Sequence, residues 1–210
     1  MNQSSTRSTI LSKIQKAVDN LPKVENVVDF YSASFYPTIE NALTHFITKA
    51  TEVGVTIHTA TTAPEIKEVL QFLHKKFPSE WMSAEPALER YLQMSGIHYK
   101  TEIKDNYKAE IVVTSCEFMV ARTGSILLSS FQPSGRRMAT FAPIHIVIAY
   151  EEQLVHTLTE AYQALQDRYH EFPSWITTVT GPSRSADIEK TLVKGAHGPK
   201  ELHILLLKNA

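Results

Sequence analysis

The stretch PIHIVIAY, residues 143–150, decides the fold, because it is an apolar run of strand length that is rich in β-branched residues. Two further runs of this kind precede it, AEIVVTS at 109–115 and SILLSS at 125–130. Strands that are apolar throughout are typical of a sheet that is buried on both faces. We therefore expect the three strands to lie near the centre of one mostly parallel sheet.

The segments that follow the central run predict how the sheet is covered. Residues 151–169 carry apolar side chains at helical spacing, which predicts a helix of about five turns. Residues 175–180, 187–194 and 201–207 then indicate a strand, a short helix and a final strand. A strand, a helix and a strand in this order imply a parallel crossover connection.

The N-terminal half of the chain is less regular. Apolar residues recur at helical spacing over 10–21 and 39–51, and a β-branched segment at 53–59 leads into a helix that Pro64 opens. The segment after that helix predicts one more short helix, at 87–94, together with loops and an edge strand.

These elements predict an α/β protein of three layers, a mostly parallel sheet with helices on both faces. We place an N-terminal helix and connecting segment at residues 1–35 and a single α/β domain at 36–210. A chain of 210 residues with 43% hydrophobic side chains is long enough to bury one substantial core.

Charge and hydropathy exclude several classes of protein. The 21 basic and 22 acidic residues leave almost no net charge, which argues against nucleic-acid binding. The N-terminus lacks the apolar run of a secretory signal, and no segment approaches ~18 uninterrupted apolar residues. We therefore expect a cytoplasmic protein without a membrane span.

Several functional motifs are missing from the sequence. The glycines form no GxGxxG, GxxxxGK[ST] or GxSxG motif, so neither a dinucleotide site, a P-loop nor a serine-hydrolase elbow is indicated. None of the nine histidines belongs to an HExxH pair, and we predict no metal site. The single cysteine, Cys116, cannot supply the ~4 thiolates of an iron–sulfur cluster. Any such cluster would have to sit on another chain.

The segment TGPSRSADIE, residues 180–189, is the strongest candidate for a binding site. A strand that turns into a helix near Ser185 would bring backbone N–H groups to the carboxyl edge of the sheet, where α/β proteins bind ligands. The side chains that would meet an anion there are Ser183, Arg184 and Ser185. The alternative is that Ser185 caps the helix and Asp187 complements its dipole.

A second candidate is the carboxylate of Glu117. Thr114 and Glu117 match a capping box, which predicts a helical turn over residues 116–121. A functional interpretation is an acyl-transfer nucleophile at the carboxyl end of a strand. Capping explains the same spacing without any chemistry.

Two further segments carry polar side chains that suit a ligand. Arg136 and Arg137 are adjacent guanidinium groups in a glycine-containing loop, and they are interpreted either as an anion clamp or as a solvated basic loop. His197 lies between glycines and suits a general acid or base. His145, inside the central strand, is interpreted as a hydrogen-bonded core residue.

Three segments together resemble the lactate utilization protein C family, which is built on the LUD domain. They are ARTGSILLSS at 121–130, GRRMATFAPIHIVIA at 135–149 and TGPSRSADIEKTLVKGAHGPKELHILLL at 180–207. The resemblance implies a fold similar to the group of NagB, ribose-phosphate isomerase and CoA transferases. It also implies a part in oxidising L-lactate to pyruvate. One departure is Arg122, which stands where the family commonly has an acidic residue.

The resemblance implies a non-redox subunit that binds a small anionic ligand and no cofactor, while partner proteins carry iron–sulfur clusters. The positions that it implies for the ligand are Thr123, Gly124, Ser125, Arg136, Arg137, Gly181, Ser183, Arg184, Asp187, His197 and Gly198. It assigns no catalytic residue, and Glu117 and His197 are the only candidates. Two alternatives stay open, a free-standing enzyme on a sugar phosphate or acyl-CoA and a metabolite-sensing regulatory module.

Overall fold

The structure is a computed structural model, which describes residues 3–20, 37–101, 109–134, 138, 141–186, 192–194 and 198–208. The chain forms two compact units, Met1–Thr38 and Ile39–Ala210. In the first unit, helix α1 spans Gln3–Asp19 and contains most of the helix that was predicted over 10–21.

The second unit alternates strands and helices. Its helices are α2 (Ala42–Glu52), α3 (Ala63–Lys76), α4 (Pro86–Met94) and α5 (Leu158–Tyr169). Its strands are β1 (Thr56–Ala60), β2 (Trp81–Met82), β3 (Tyr99–Lys100), β4 (Ile111–Thr114), β5 (Phe118–Val120), β6 (Ser125–Ser129), β7 (Ile144–Tyr150), β8 (Leu154–Val155), β9 (Ile176–Val179), β10 (Arg184–Ala186), β11 (Leu192–Lys194) and β12 (Glu201–Leu207). A single turn of 3-10 helix, Glu151–Gln153, joins β7 to β8.

The main sheet has six strands in the order β1-β12-β7-β4-β2-β3, and all its pairings are parallel. Strand β7 lies inside the sheet, where Ile144 is in register with both Ile111 of β4 and Glu201 of β12. The prediction that residues 143–150 form a central strand of a mostly parallel sheet is therefore confirmed. The predicted edge strand is β3.

The two faces of β7 pack into different parts of the core. Ile146 and Ile148 pack into a cluster with apolar residues of α3 and α4. Val147 and Ala149, which alternate with them, pack against α2 and a second sheet. The main sheet thus has helices on both faces, which confirms the predicted α/β architecture.

The second sheet was not predicted. Its strand order is β8-β5-β6-β9, with β6 antiparallel to both of its neighbours, and α5 packs on its outer face. The expectation that residues 125–130 lie near the centre of the main sheet is therefore wrong. Both faces of β6 are buried in this small sheet as well, so its apolar composition does not tell which sheet it joins.

Three predicted local structures are wrong because strand pairing replaces them. Residues 118–120 form β5 rather than a helical turn, since they pair with β6 and β8. The helix predicted over 151–169 begins only at Leu158, where Thr157 caps it by accepting from the N–H of Glu160. In place of the helix predicted at 187–194, residues 192–194 pair with β10 as β11, and 187–191 lie outside the described residues.

The predicted parallel crossover near the C-terminus is also wrong. Strand β9 belongs to the second sheet, whereas β12 pairs with β1 and β7 in the main sheet. The chain therefore passes from one sheet to the other between these two strands.

His145 lies in β7 and is fully buried, as predicted for a core histidine. Its Nε2 is 2.8 Å from Oγ1 of Thr114, which itself donates to the carbonyl of Ser115. Among the described residues, no group bonds to its Nδ1. Burial lowers the pKa of His145 to about 4, because the charged imidazolium would have to exist away from water.

We expect stability to depend on pH through His145. Its pKa is lower in the folded protein than in the unfolded chain, so its contribution is fully present above about pH 6.5 and is lost as the pH falls to about 4. The free energy of unfolding should fall by about 3 kcal/mol through this group over that window. Urea titrations at several pH values measure this change.

The variant His145→Gln keeps an N–H donor for Thr114 but does not titrate, so its pH dependence should be shallower than that of the wild type. His98→Gln, at an exposed position, is the matched control and should keep the wild-type slope. Equal slopes for wild type and His145→Gln would contradict the prediction.

Candidate functional site

The structure brings most of the predicted ligand residues to one end of the second sheet, beside the end of α2. The described members of this set are Thr123, Gly124, Ser125, Gly181, Ser183, Arg184 and Gly198. Arg136, Arg137, Asp187 and His197 lie outside the described residues.

Three hydroxyl groups connect the two turns that contain these residues. The buried Ser125 donates from Oγ to Oγ1 of Thr123 at 2.7 Å, within the turn between β5 and β6. The same Oγ lies 2.7 Å from Oγ1 of Thr180, which follows β9. The Thr-Gly-Ser and Thr-Gly-Pro-Ser segments therefore lie side by side.

Both glycines of these turns lie against the C-terminal end of α2. Gly124 has φ +64°, and a Cβ added there would be 2.2 Å from the backbone nitrogen of Ala50. Gly181 has φ +83°, and a Cβ there would be 2.5 Å from the carbonyl oxygen of Val53. Glycine is required at both positions by backbone conformation and by close approach. The glycines thus have a structural role, whatever the turns bind.

Arg184 also reaches the end of α2. Its Nη2 donates to the carbonyl oxygen of Val53 at 2.9 Å. A cation at this place satisfies a carbonyl that the helix leaves free and complements the negative end of the helix dipole. Arg184 itself is exposed to solvent.

A groove of about 470 Å³ runs along these residues. Its lining consists of Val53, residues 177–184, Gly198 and Pro199. The backbone N–H of Ser183 donates to the carbonyl of Pro199 at 2.8 Å, which holds the two walls together.

The groove does not lie where the sequence predicted the site. Val53 precedes β1 and Pro199 precedes β12, so the groove is at the amino ends of these parallel strands rather than at their carboxyl edge. The helix start predicted near Ser185 is wrong, because Arg184–Ala186 is strand β10. An anion in this groove would therefore be bound by side chains and loop N–H groups and not by a helix N-terminus.

Glu117 is buried and fully engaged by other side chains. Its carboxylate accepts from Oγ of Ser129 at 2.6 Å, from Nη1 of Arg168 at 3.0 Å and from the hydroxyl of Tyr169 at 3.1 Å. The guanidinium of Arg168 also lies over the ring of Phe118. These contacts give Glu117 a structural role in joining β6 to α5.

A buried polar network that the sequence analysis missed lies at the carboxyl end of β4. Glu85 accepts from the N–H of Ser115 at 2.9 Å and from the hydroxyl of Ser134. Gln132 continues the network, since it donates to Oγ of Ser115 and accepts from the N–H of Ser129. The only signal in the sequence is that Glu85 stands directly before Pro86 at the start of a helix, which does not reveal its distant partners.

Cys116 lies beside this network and is buried. Burial raises the pKa of its thiol, and the charges of Glu85 and Glu117 raise it further. The thiol therefore stays protonated at neutral pH, and a protonated thiol is a poor nucleophile and metal ligand.

Within the described part of the chain, no three His, Cys, Asp or Glu side chains are placed so that they could hold a metal ion together. The helices among those residues are too short or too polar to cross a membrane.

A sequence model of the LUD domain matches residues 43–207, which is most of the chain. The chain belongs to the LUD domain family. This family agrees with the resemblance inferred from residues 121–130, 135–149 and 180–207.

Curated relatives of this LUD domain carry the name lactate utilization protein C. The protein of Deinococcus radiodurans is 33% identical over 101 residues, which cover 48% of this chain and 47% of that protein. The protein of Bacillus subtilis is 32% identical over 110 residues, 51% of this chain and 46% of that protein. The chain thus spans about half the length of the curated relatives that it matches.

A crystal structure of a DUF162 family protein from Deinococcus radiodurans has the same fold. It superposes with a TM-score of 0.58 at 19% identity and covers 79% of this chain and 96% of that one. The likeness to NagB and the CoA transferases stays a prediction.

We expect Gly124→Ala to destabilise this LUD domain strongly. The new methyl group would collide with the backbone of α2 and the alanine would be strained at a positive φ. Gly96→Ala is the matched control, because Gly96 has φ +70° but no atom within 4 Å of the added Cβ. Gly124→Ala should cost at least about 2 kcal/mol more than Gly96→Ala in chemical denaturation. The prediction would be contradicted if both variants lost the same free energy of unfolding, since α2 would then have moved to make room for the methyl group.

Proposed function

We propose that this protein is a non-redox subunit of an L-lactate utilization system, in which L-lactate is oxidised to pyruvate. The observation that carries the proposal is the similarity to lactate utilization protein C in a chain of the LUD domain family. In this proposal the two electrons released by lactate pass to iron–sulfur clusters on partner proteins.

The chemistry of Cys116 supports the proposal that partner proteins, and not this chain, carry the redox centres. An iron–sulfur cluster is held by ~4 thiolates, and this chain has one cysteine. That cysteine is buried, and its raised pKa keeps it protonated. The redox centres of the proposed system are therefore assigned to other proteins.

We also propose that the groove beside α2 binds the carboxylate of a small organic anion. Among the described residues, the guanidinium of Arg184 bonds to Val53 through Nη2, and we assign its other N–H groups to an oxyanion. The groove, about 470 Å³ in volume, is large enough for a three-carbon acid. The polar side chains of Thr180 and Ser183 line the same surface.

Growth on L-lactate tests the functional proposal. A strain that lacks this gene and any paralogue should fail to grow on L-lactate, and the wild-type chain should restore growth. Arg184→Gln should restore it poorly, because the variant loses both the positive charge and the long side chain that reaches Val53. Arg7→Gln, at an exposed position of α1, should complement fully. Normal growth of the deletion strain would refute the proposal.

Ligand binding gives a separate prediction for the purified protein. L-lactate or pyruvate at ~100 times its dissociation constant should stabilise the wild type by about 2.7 kcal/mol, and Arg184→Gln should lose this effect relative to its own ligand-free state. Thermal unfolding with each ligand measures the shift, with Arg7→Gln as the control. Stabilisation by sugar phosphates or CoA esters instead would favour a free-standing enzyme.

A further inference from the structure

A cluster of one guanidinium and two phenols lies at the carboxyl end of the central strand β7. Tyr150 is the last residue of β7, and Arg90 and Tyr91 are on α4. Nη2 of Arg90 lies 2.6 Å from the hydroxyl oxygen of Tyr91 and 3.2 Å from that of Tyr150. The two hydroxyl oxygens are 3.0 Å apart.

The cluster has more hydrogen-bond donors than acceptors. Arg90 has five N–H donors and no acceptor, and only Nη2 contacts the phenols. Whichever phenol donates to the other, one hydroxyl hydrogen is left over. Among the described residues, neither hydroxyl contacts a carboxylate or a carbonyl oxygen. An acceptor from outside these residues would therefore find spare donors on the guanidinium and on one of the two adjacent phenols.

The charge of Arg90 is also uncompensated within the described part of the chain. Arg168 pairs with Glu117 and Lys76 with Glu201, but none of the carboxylates that the structure describes pairs with Arg90. Arg90 is exposed at the surface, and its guanidinium lies 4.6 Å from the centre of the Tyr91 ring. An oxyanion from solvent can reach it without any rearrangement of the backbone.

The protonation of the cluster suits the binding of an anion. Burial and the hydrogen bond with Tyr150 raise the pKa of Tyr91 to about 12, so this phenol keeps its proton at neutral pH. The hydrogen bond with Tyr150 raises the pKa of Arg90, so the guanidinium stays charged. The carboxyl ends of the strands are also where open α/β sheets bind ligands.

We propose that Arg90, Tyr91 and Tyr150 form a binding site for an oxyanion, either a carboxylate or a phosphate group. The guanidinium donates two N–H groups to the anion, and the phenol with the spare hydrogen donates a third bond. This site is at the carboxyl end of β7, whereas the groove of Arg184 is at the amino ends of β1 and β12. Evidence against one of these two sites would therefore not count against the other.

Isothermal titration of the full chain with inorganic phosphate and, separately, with acetate tests the site. Arg90→Gln should weaken binding at least about tenfold, since a charged hydrogen bond is lost. Tyr150→Phe should weaken it severalfold and keeps the ring that packs in the core. The matched controls are Arg7→Gln and Tyr162→Phe, which should bind as the wild type does.

The outcomes separate the two sources of the oxyanion. Phosphate binding that Arg90→Gln and Tyr150→Phe weaken assigns the site to phosphorylated ligands, and acetate binding that the same variants weaken assigns it to carboxylic acids. The proposal is overturned if neither anion binds at millimolar concentration. It is also overturned if Arg90→Gln and Tyr150→Phe, shown by thermal unfolding to be folded, bind with unchanged affinity.

Discussion

The burial of β7 on both faces is the constraint on which the rest of the structure depends. Its apolar side chains alternate between two parts of the core, one formed with α3 and α4 and the other with α2 and the second sheet. A strand buried in this way has no exposed face on which to bind a ligand. On β7, polar groups that could meet a ligand are therefore confined to the two ends of the strand. Both candidate sites also lie at ends of strands of the main sheet.

Packing against the C-terminal end of α2 is a second constraint on the structure. It explains why glycine and arginine are found in the turns. Gly124 and Gly181 let two backbones approach the helix, and Arg184 bonds to its free carbonyl. These contacts hold the turns that follow β5 and β9 against α2. The residues that resemble family motifs thus position the groove as well as line it, so a variant there must be judged by stability and by binding.

Local patterns predicted the elements of the main sheet well and the second sheet poorly. Residues 143–150 are long and apolar enough to be a central strand in any arrangement. Residues 125–130 have the same composition, but their place depends on pairing with β5 and β9, which local spacing does not encode. The spacing of Thr114 and Glu117 suggested a cap, whereas Glu117 bonds to Arg168 and Tyr169, about 50 residues away.

The sequence predicted which residues form the candidate site better than it predicted where the site lies in the fold. Of the predicted ligand residues, those that the structure describes lie close together, because the two turns meet through Ser125 and Thr180. The sequence analysis placed them at the carboxyl edge of the main sheet because it assigned β9 to that sheet, whereas β9 pairs with β6 in the second sheet. Arg90, Tyr91 and Tyr150 belong to no motif, and only the folding of α4 onto the end of β7 brings them together.

The charged groups at the carboxyl end of the main sheet differ in how many hydrogen-bond partners they have. Glu117 faces the second sheet and α5, where Ser129, Arg168 and Tyr169 satisfy its oxygens. Tyr150 packs on the other face, with the helices, and contacts a cation that has no described carboxylate partner. A buried carboxylate that is already saturated with donors repels an incoming anion, whereas spare donors beside a cation attract one. At this end of the sheet, an oxyanion is therefore expected beside Arg90 and Tyr150 rather than beside Glu117.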